Sequence, residues 1–175
     1  IENCVECGLC YSICPETTDM EEEVRTLAGW TEPMGRVVEI TVARSADPRV
    51  RRHASDGGAV TALLLHLFDR NKIDGAILSR PMGHFMRQPF LATTRKDIEN
   101  ATGFFPDTAH GLYRFGESML AYSSIEKLNP MRQKGLSRVA MVAVPCQIKA
   151  LRKMQALNLV PSDAVQYCFG LFCAG

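Results

Sequence analysis

Four cysteines crowd into the first fifteen residues, and no other stretch constrains the chain as strongly. Cys4, Cys7, Cys10 and Cys14 are separated by two, two and three residues, and Pro15 follows. Thiolates at every third position let one loop wrap a corner of an iron–sulfur cube, with three sulfurs on three irons. The fourth thiol falls after a turn, and Pro15 keeps a helix from continuing through it. Uncharged residues between the cysteines (Val5, Gly8, Leu9, Ser12, Ile13) leave backbone N–H groups free to point at the sulfurs. Zinc favours two separated Cys or Cys/His halves. The nearest histidine is His53, and there is no second Cys-x-x-Cys outside this run. The spacing therefore predicts a 4Fe–4S cluster rather than zinc or disulfides.

The run is that of bacterial ferredoxins. In their two-cluster members the fourth cysteine serves the other cluster. No second run occurs in the 175 residues, and the chain opens on Ile1. The expectation is a piece of a longer polypeptide, with another cysteine run before residue 1, and Cys14 either serving a different cluster or depending on that earlier segment.

Charge and hydropathy narrow the remaining classes. With 20 basic and 19 acidic residues, net charge is +1, so no basic stripe calls for nucleic acid. Apolar runs such as Leu63–Leu65 and Val139–Val144 are far too short to span a bilayer. Seven cysteines, four in one cluster motif, point to a reducing compartment, hence the cytoplasm.

Three segments are predicted: a ferredoxin-like iron–sulfur segment over 1–19, a connector over 20–36 and an α/β domain over 37–175. In the connector, Glu21, Glu22 and Glu23 read as a solvated acidic patch. Trp30 reads as the packing contact between the cysteine segment and the domain. Strands are predicted at Val37–Ala43, Asp74–Ser79, Phe90–Thr94, Arg138–Val144 and Ala164–Cys173. Helices are predicted over Ala59–Asp69, with Ser55 or Asp56 as cap and Val60, Leu63, Leu64, Leu67 and Phe68 on one buried face. Further helices are predicted at Lys96–Ala101, Glu117–Leu128 and Gln147–Leu157. Alternating strands and helices define an α/β fold with a mixed, partly parallel sheet and flanking helices. A glycine- and aromatic-rich loop over 102–116 reads as a cofactor wall or a packed Ω-loop.

Two constellations can carry chemistry. Asp56-Gly57-Gly58 stands at a helix start, where bare backbone and the helix dipole favour an anionic or electron-rich group; a simple turn is the other reading. Pro145-Cys146 stands at the carboxyl end of a buried strand, where open α/β sheets bind ligands. Cys173 ends the next strand, so both thiols fall at one sheet edge, as ligands or as packing groups. Cys168, five residues before Cys173, faces the other way and reads as a buried structural thiol.

Taken together, these stretches resemble the β subunits of coenzyme F420-reducing hydrogenases and dehydrogenases. The resemblance covers about residues 37–173. It is carried by Val38-Glu39-Ile40-Thr41-Val42-Ala43-Arg44-Ser45, Ser55-Asp56-Gly57-Gly58-Ala59-Val60-Thr61-Ala62-Leu63-Leu64, Asp74-Gly75-Ala76, Val142-Ala143-Val144-Pro145-Cys146-Gln147 with Leu151-Arg152-Lys153-Met154, and Gly170-Leu171-Phe172-Cys173. It implies FAD in the α/β domain, held by Ser55, Asp56, Gly57, Gly58, Thr61, Tyr113 and Pro145. It also implies a second 4Fe–4S cluster ligated by Cys146 and Cys173. Electrons would pass between clusters and FAD, and hydride between FAD and the deazaflavin coenzyme F420. Partners would be other redox subunits of hydrogenase, formate dehydrogenase or reductase type. One departure stands out: the family's Gly-Thr/Ser-Lys-Tyr turn is here His110-Gly111-Leu112-Tyr113, without the lysine, which leaves open another hydride acceptor. The alternative is an iron–sulfur electron-transfer module without its own hydride substrate.

Overall fold

The computed structural model describes residues 4–54, 56–83, 86–103 and 123–172. Its centre is a four-stranded sheet in the order β2-β1-β3-β4, with β1 Gly75–Gly83, β2 Met86–Ala92, β3 Val139–Ala143 and β4 Val165–Gly170. β1 and β2 form an antiparallel hairpin running from Ala76 opposite Ala92 to Gly83 opposite Met86. β1 pairs parallel with β3, and β3 parallel with β4. The sheet is therefore mixed and partly parallel, as predicted.

Alternation along the strands separates two apolar layers. Ala76, Leu78 and Ala140 face one side, where they pack with Leu64 and Leu65 of α4 (Ala59–Asp69) and Ile98 of α5 (Arg95–Asn100). Ile77, Val139 and Met141 face the other, against Leu128 and Met131 of α6 (Leu128–Gln133) and Leu151 of α7 (Pro145–Ala156). Burying both faces explains why β3 reads as an unbroken apolar run.

Local signals set the element ends. Thr94 and Asp97 close a reciprocal capping box at the start of α5: Asp97 N–H donates to Thr94 Oγ1 at 3.2 Å, and Thr94 N–H to Asp97 Oδ2 at 3.0 Å. Pro145 takes the first turn of α7, where its missing N–H matters least. Gly75 begins β1 in a tight spot, since a Cβ there would stand 2.8 Å from Leu136 Cδ1 and 3.1 Å from the Ala92 carbonyl oxygen. Gly75→Ala is expected to destabilise the fold by about 1–3 kcal/mol, the range of core overpacking. A lowered urea midpoint at unchanged m-value checks it.

Several expectations are corrected. Val37–Ala43 forms no strand and joins no sheet among the described residues, and Val38, Ile40 and Val42 are exposed. Asp56 does not cap α4. Gly58 does, in the left-handed region at φ 73°, with no side-chain cap. Leu63 is half-exposed, and the buried pair of α4 is Leu64 and Leu65. In the predicted helix ending at Leu128, Ser124–Lys127 is a 3-10 turn, and the α-helix that follows runs on to Gln133. The span read as a connector contains a helix, α2 (Glu21–Ala28). Trp30 lies under the Arg25 guanidinium at 5.5 Å and beside Gly35.

Candidate functional site

The cysteine run is built on a turn and a single short helix. Gly8 adopts φ 75°, a left-handed conformation open to glycine, and leads into α1 (Leu9–Ser12), which carries Cys10. Cys4, Cys7, Cys10 and Cys14 are all free thiols, the first three exposed and Cys14 half-buried. Among the described residues, no three Cys, His, Asp or Glu side chains stand gathered as a ready metal-holding group. The donor set thus has the chemistry of an iron–sulfur ligand set, with its thiols set apart rather than converged.

Two lysines fasten this segment to α7. Lys149 Nζ donates to Glu21 Oε1 at 2.7 Å. That hydrogen bond, followed by the charge of Lys149, holds the Glu21 carboxyl below its ordinary range. Because the folded carboxyl titrates lower than the unfolded one, this link is complete above the ordinary carboxylate pKa and weakens as pH falls through the depressed value. Four residues along the helix, Lys153 is fully buried and donates to the carbonyl oxygens of Cys14 and Thr17 and to Thr17 Oγ1. Lys149 was not singled out from the sequence, and Lys153 entered only within the Leu151-Arg152-Lys153-Met154 stretch, with no role of its own. The available signal was their spacing of four on a helix whose other face is apolar, opposite the acidic Glu21–Glu23 start of α2.

On the opposite face of the sheet a cavity of about 250 Å³ opens at the carboxyl ends of the parallel strands. Asp56, Gly58 and Thr61 line it from the start of α4, together with Ser79 of β1, Val142 of β3 and Phe172 just beyond β4. Arg87 braces its wall, donating to Ser79 Oγ and the Ser79 carbonyl at 2.9 and 2.7 Å and to the Ala101 carbonyl at 3.1 Å. Arg87 and Ser79 were not anticipated, since no local motif marks them, and Phe172 stands in the Gly170-Leu171-Phe172-Cys173 stretch without having been read as a site residue. The first N–H groups of a helix have no intrahelical partner, and no side chain caps α4. The cavity therefore joins an apolar pocket to an electropositive helix start. Its volume lies just under the 300–1,000 Å³ usual for small-molecule sites.

The Gly57–Gly58 pair has a reason internal to the chain. A Cβ on Gly58 would stand 2.8 Å from Val50 Cγ1, one on Gly57 3.1 Å from Arg44 Cβ, and both residues have positive φ. The glycines seat α4 on α3 (Pro48–His53) whatever the cavity holds.

Cys146 is exposed on the first turn of α7, immediately beyond the carboxyl end of β3, while Pro145 precedes it outside the cavity lining. Cys168 lies half-buried in β4 against the α6–α7 layer, and burial pushes its thiol pKa up, with Arg152 pulling it partly back. Ser55, Tyr113 and Cys173 lie outside the described residues. Among the described residues, no helix is long and apolar enough to cross a membrane.

Comparison with known proteins gives the family of this mixed-sheet chain. The N-terminal model of the coenzyme F420 hydrogenase/dehydrogenase beta subunit matches residues 40–113, and the C-terminal model matches residues 136–175. The chain belongs to this family. It is 30% identical over 144 residues to the coenzyme F420 hydrogenase subunit beta of Methanothermobacter thermautotrophicus, an alignment covering 80% of this chain and 47% of that protein. It is 28% identical over 180 residues to the coenzyme F420-dependent sulfite reductase of Methanocaldococcus jannaschii, covering 95% of this chain and 25% of that one. A chain of the F420-reducing NiFe hydrogenase complex from Methanosarcina barkeri superposes with a TM-score of 0.62 at 30% identity, over 74% of this chain and 42% of that one. The chain thus spans half or less of the length of these relatives.

Proposed function

We propose that this chain is the cluster-and-flavin portion of an F420-linked oxidoreductase subunit, passing electrons between 4Fe–4S clusters and FAD. When bound, FAD would exchange hydride with coenzyme F420. The observation that carries the reading is spatial. The cysteine run docks through Cys14 on α7, the helix that covers one face of the sheet, and the cavity opens on the other face, with Cys146 at the start of α7 beside the strand edge. Bound FAD would supply the exchange between two-electron hydride and one-electron steps, and the clusters single-electron carriage.

The chain's own residues have distinct parts in this. Cys4, Cys7 and Cys10 supply three thiolates from one loop, and loading would draw them in around the cluster. Cys14 serves that cluster or a neighbouring one. Cys146, with Cys173, would hold a second cluster near the flavin. The start of α4 with Asp56, Gly58 and Thr61 would face one ring or phosphate of FAD, while Tyr113 and Ser55 complete the set that the family resemblance implies. Pro145 contributes by fixing the turn that presents Cys146, rather than by lining the cavity. Docking partners would be other redox subunits of hydrogenase, formate dehydrogenase or reductase type.

Anaerobic purification of the full-length protein tests the reading directly. Cys7→Ala is expected to carry about four irons fewer per chain than the parent at equal flavin content. Equal iron in both proteins would remove the cluster from this run.

A further inference from the structure

The least expected charge in the molecule is Lys153. Its side chain is fully buried, yet no carboxylate among the described residues pairs with it. The nearest acidic partner on this face, Glu21, is engaged by Lys149 at 2.7 Å. An ammonium has three donors, and all three are used here on neutral oxygens: the Cys14 carbonyl at 2.6 Å, the Thr17 carbonyl at 2.9 Å and Thr17 Oγ1 at 3.0 Å. The Thr17 hydroxyl in turn lies 3.0 Å from the Cys14 carbonyl and 3.1 Å from that of Tyr11. The hydrogen bonds satisfy the donors, while the Glu21 carboxylate acts on this charge only through space, its hydrogen bond being taken by Lys149. A buried charge without a directly paired opposite one is unfavourable.

We infer that Lys153 is a positioning residue for the cysteine-run cluster, seating Cys14 on α7 and raising the cluster's reduction potential through its buried positive charge. The inference rests on the proposal that this run binds iron–sulfur. A cluster held by thiolates is net negative, and one-electron reduction adds a further negative charge. A cation buried beside one of its ligands therefore stabilises the reduced form, because net charge and solvent exposure set cluster potentials. Low dielectric strengthens the effect, whereas Lys149 is only half-buried and its charge is already paired with Glu21. The same ammonium also explains why a helix buried on one side against the sheet carries a lysine in its other face. Lys153 binds the segment and biases its electron affinity in one contact.

Lys153→Met keeps the length of the side chain and removes the charge. The readout is a redox titration of the low-temperature EPR signal of the full-length holoprotein, with iron counted in the same samples. The expected result is retained iron and a more negative cluster, with the ratio of reduced to oxidised form at fixed ambient potential lowered at least tenfold. For a one-electron couple that is about 59 mV. Retained iron with an unchanged potential would overturn the role of Lys153 while leaving the cluster proposal intact. A parent protein without a cluster would overturn both. If Lys153→Met loses its iron, Lys153→Arg decides. Iron and potential kept in the arginine protein support the charge, and iron lost from it as well reduces Lys153 to a packing contact.

Discussion

Thr61→Leu is expected to lower flavin content at least tenfold while leaving the iron of the cysteine run unchanged. Thr61 stands in the first turn of α4 and lines the cavity of about 250 Å³. Leucine is a better helix former than threonine, so α4 itself is not weakened. Its larger side chain instead intrudes on the space assigned to one ring of the cofactor. Overpacking a filled site costs about 1–3 kcal/mol, and 1.4 kcal/mol is already tenfold in affinity. Absorbance of the released flavin against iron per chain is the measurement. Undiminished flavin would move the cofactor out of this cavity. A glycine substitution is the wrong probe here. Gly58→Val would drive side-chain atoms into Val50, already 2.8 Å from the position of the first added carbon, and lose flavin through misfolding alone. Thr61 avoids that confusion because its side chain faces space rather than the body of the protein.

The sheet was readable because its strands carry their own evidence. Val139–Ala143 is apolar throughout, as a strand covered on both faces must be, and Pro145 marks the following helix start. Val37–Ala43 shows the limit of the same signal. Its β-branched residues make extended backbone favourable, and its side chains at 38, 40 and 42 share one face, but strand content says nothing about whether a partner edge is present. The cap of α4 was misread for a related reason: Asp56 has the right chemistry, yet the chain turns into the helix through a left-handed glycine, which needs no side-chain oxygen. Of the site, residues marked by local motif were legible: the cysteines, the double glycine and the Pro-Cys turn. Residues whose meaning depends on tertiary neighbours were not. Lys153 is one of several lysines until α7 is laid against Cys14, and Arg87 is one of several arginines until the hairpin carries it to Ser79 and Ala101.

The layers also explain why Cys146 should matter far more than Cys168. From the face that carries the cysteine run to the face that carries the cavity, the sheet itself is packed with apolar side chains on both sides. A route between them runs around the carboxyl edge of the strands. Seven residues of α7 separate Lys153, which touches Cys14, from Cys146 at that edge, about 10 Å of helix at 1.5 Å per residue. Cys146 is exposed there and free to ligate, whereas Cys168 is held in β4 against the α6–α7 layer with its thiol pKa raised by burial. Cys146→Ser is therefore expected to remove a second 4Fe–4S cluster, about four irons per chain, and to stop electron flow from donor to flavin while direct flavin–F420 hydride exchange survives. Cys168→Ser is expected to keep every iron and cost roughly 1 kcal/mol of stability, because it only places a hydroxyl in a half-apolar site. Iron analysis, low-temperature EPR and F420 reduction on the two variants side by side make the comparison. If both keep all cluster signals and both reduce F420 with the donor at the parent rate, Cys146 is a packing thiol, and electrons leave the cysteine run by another edge of the molecule.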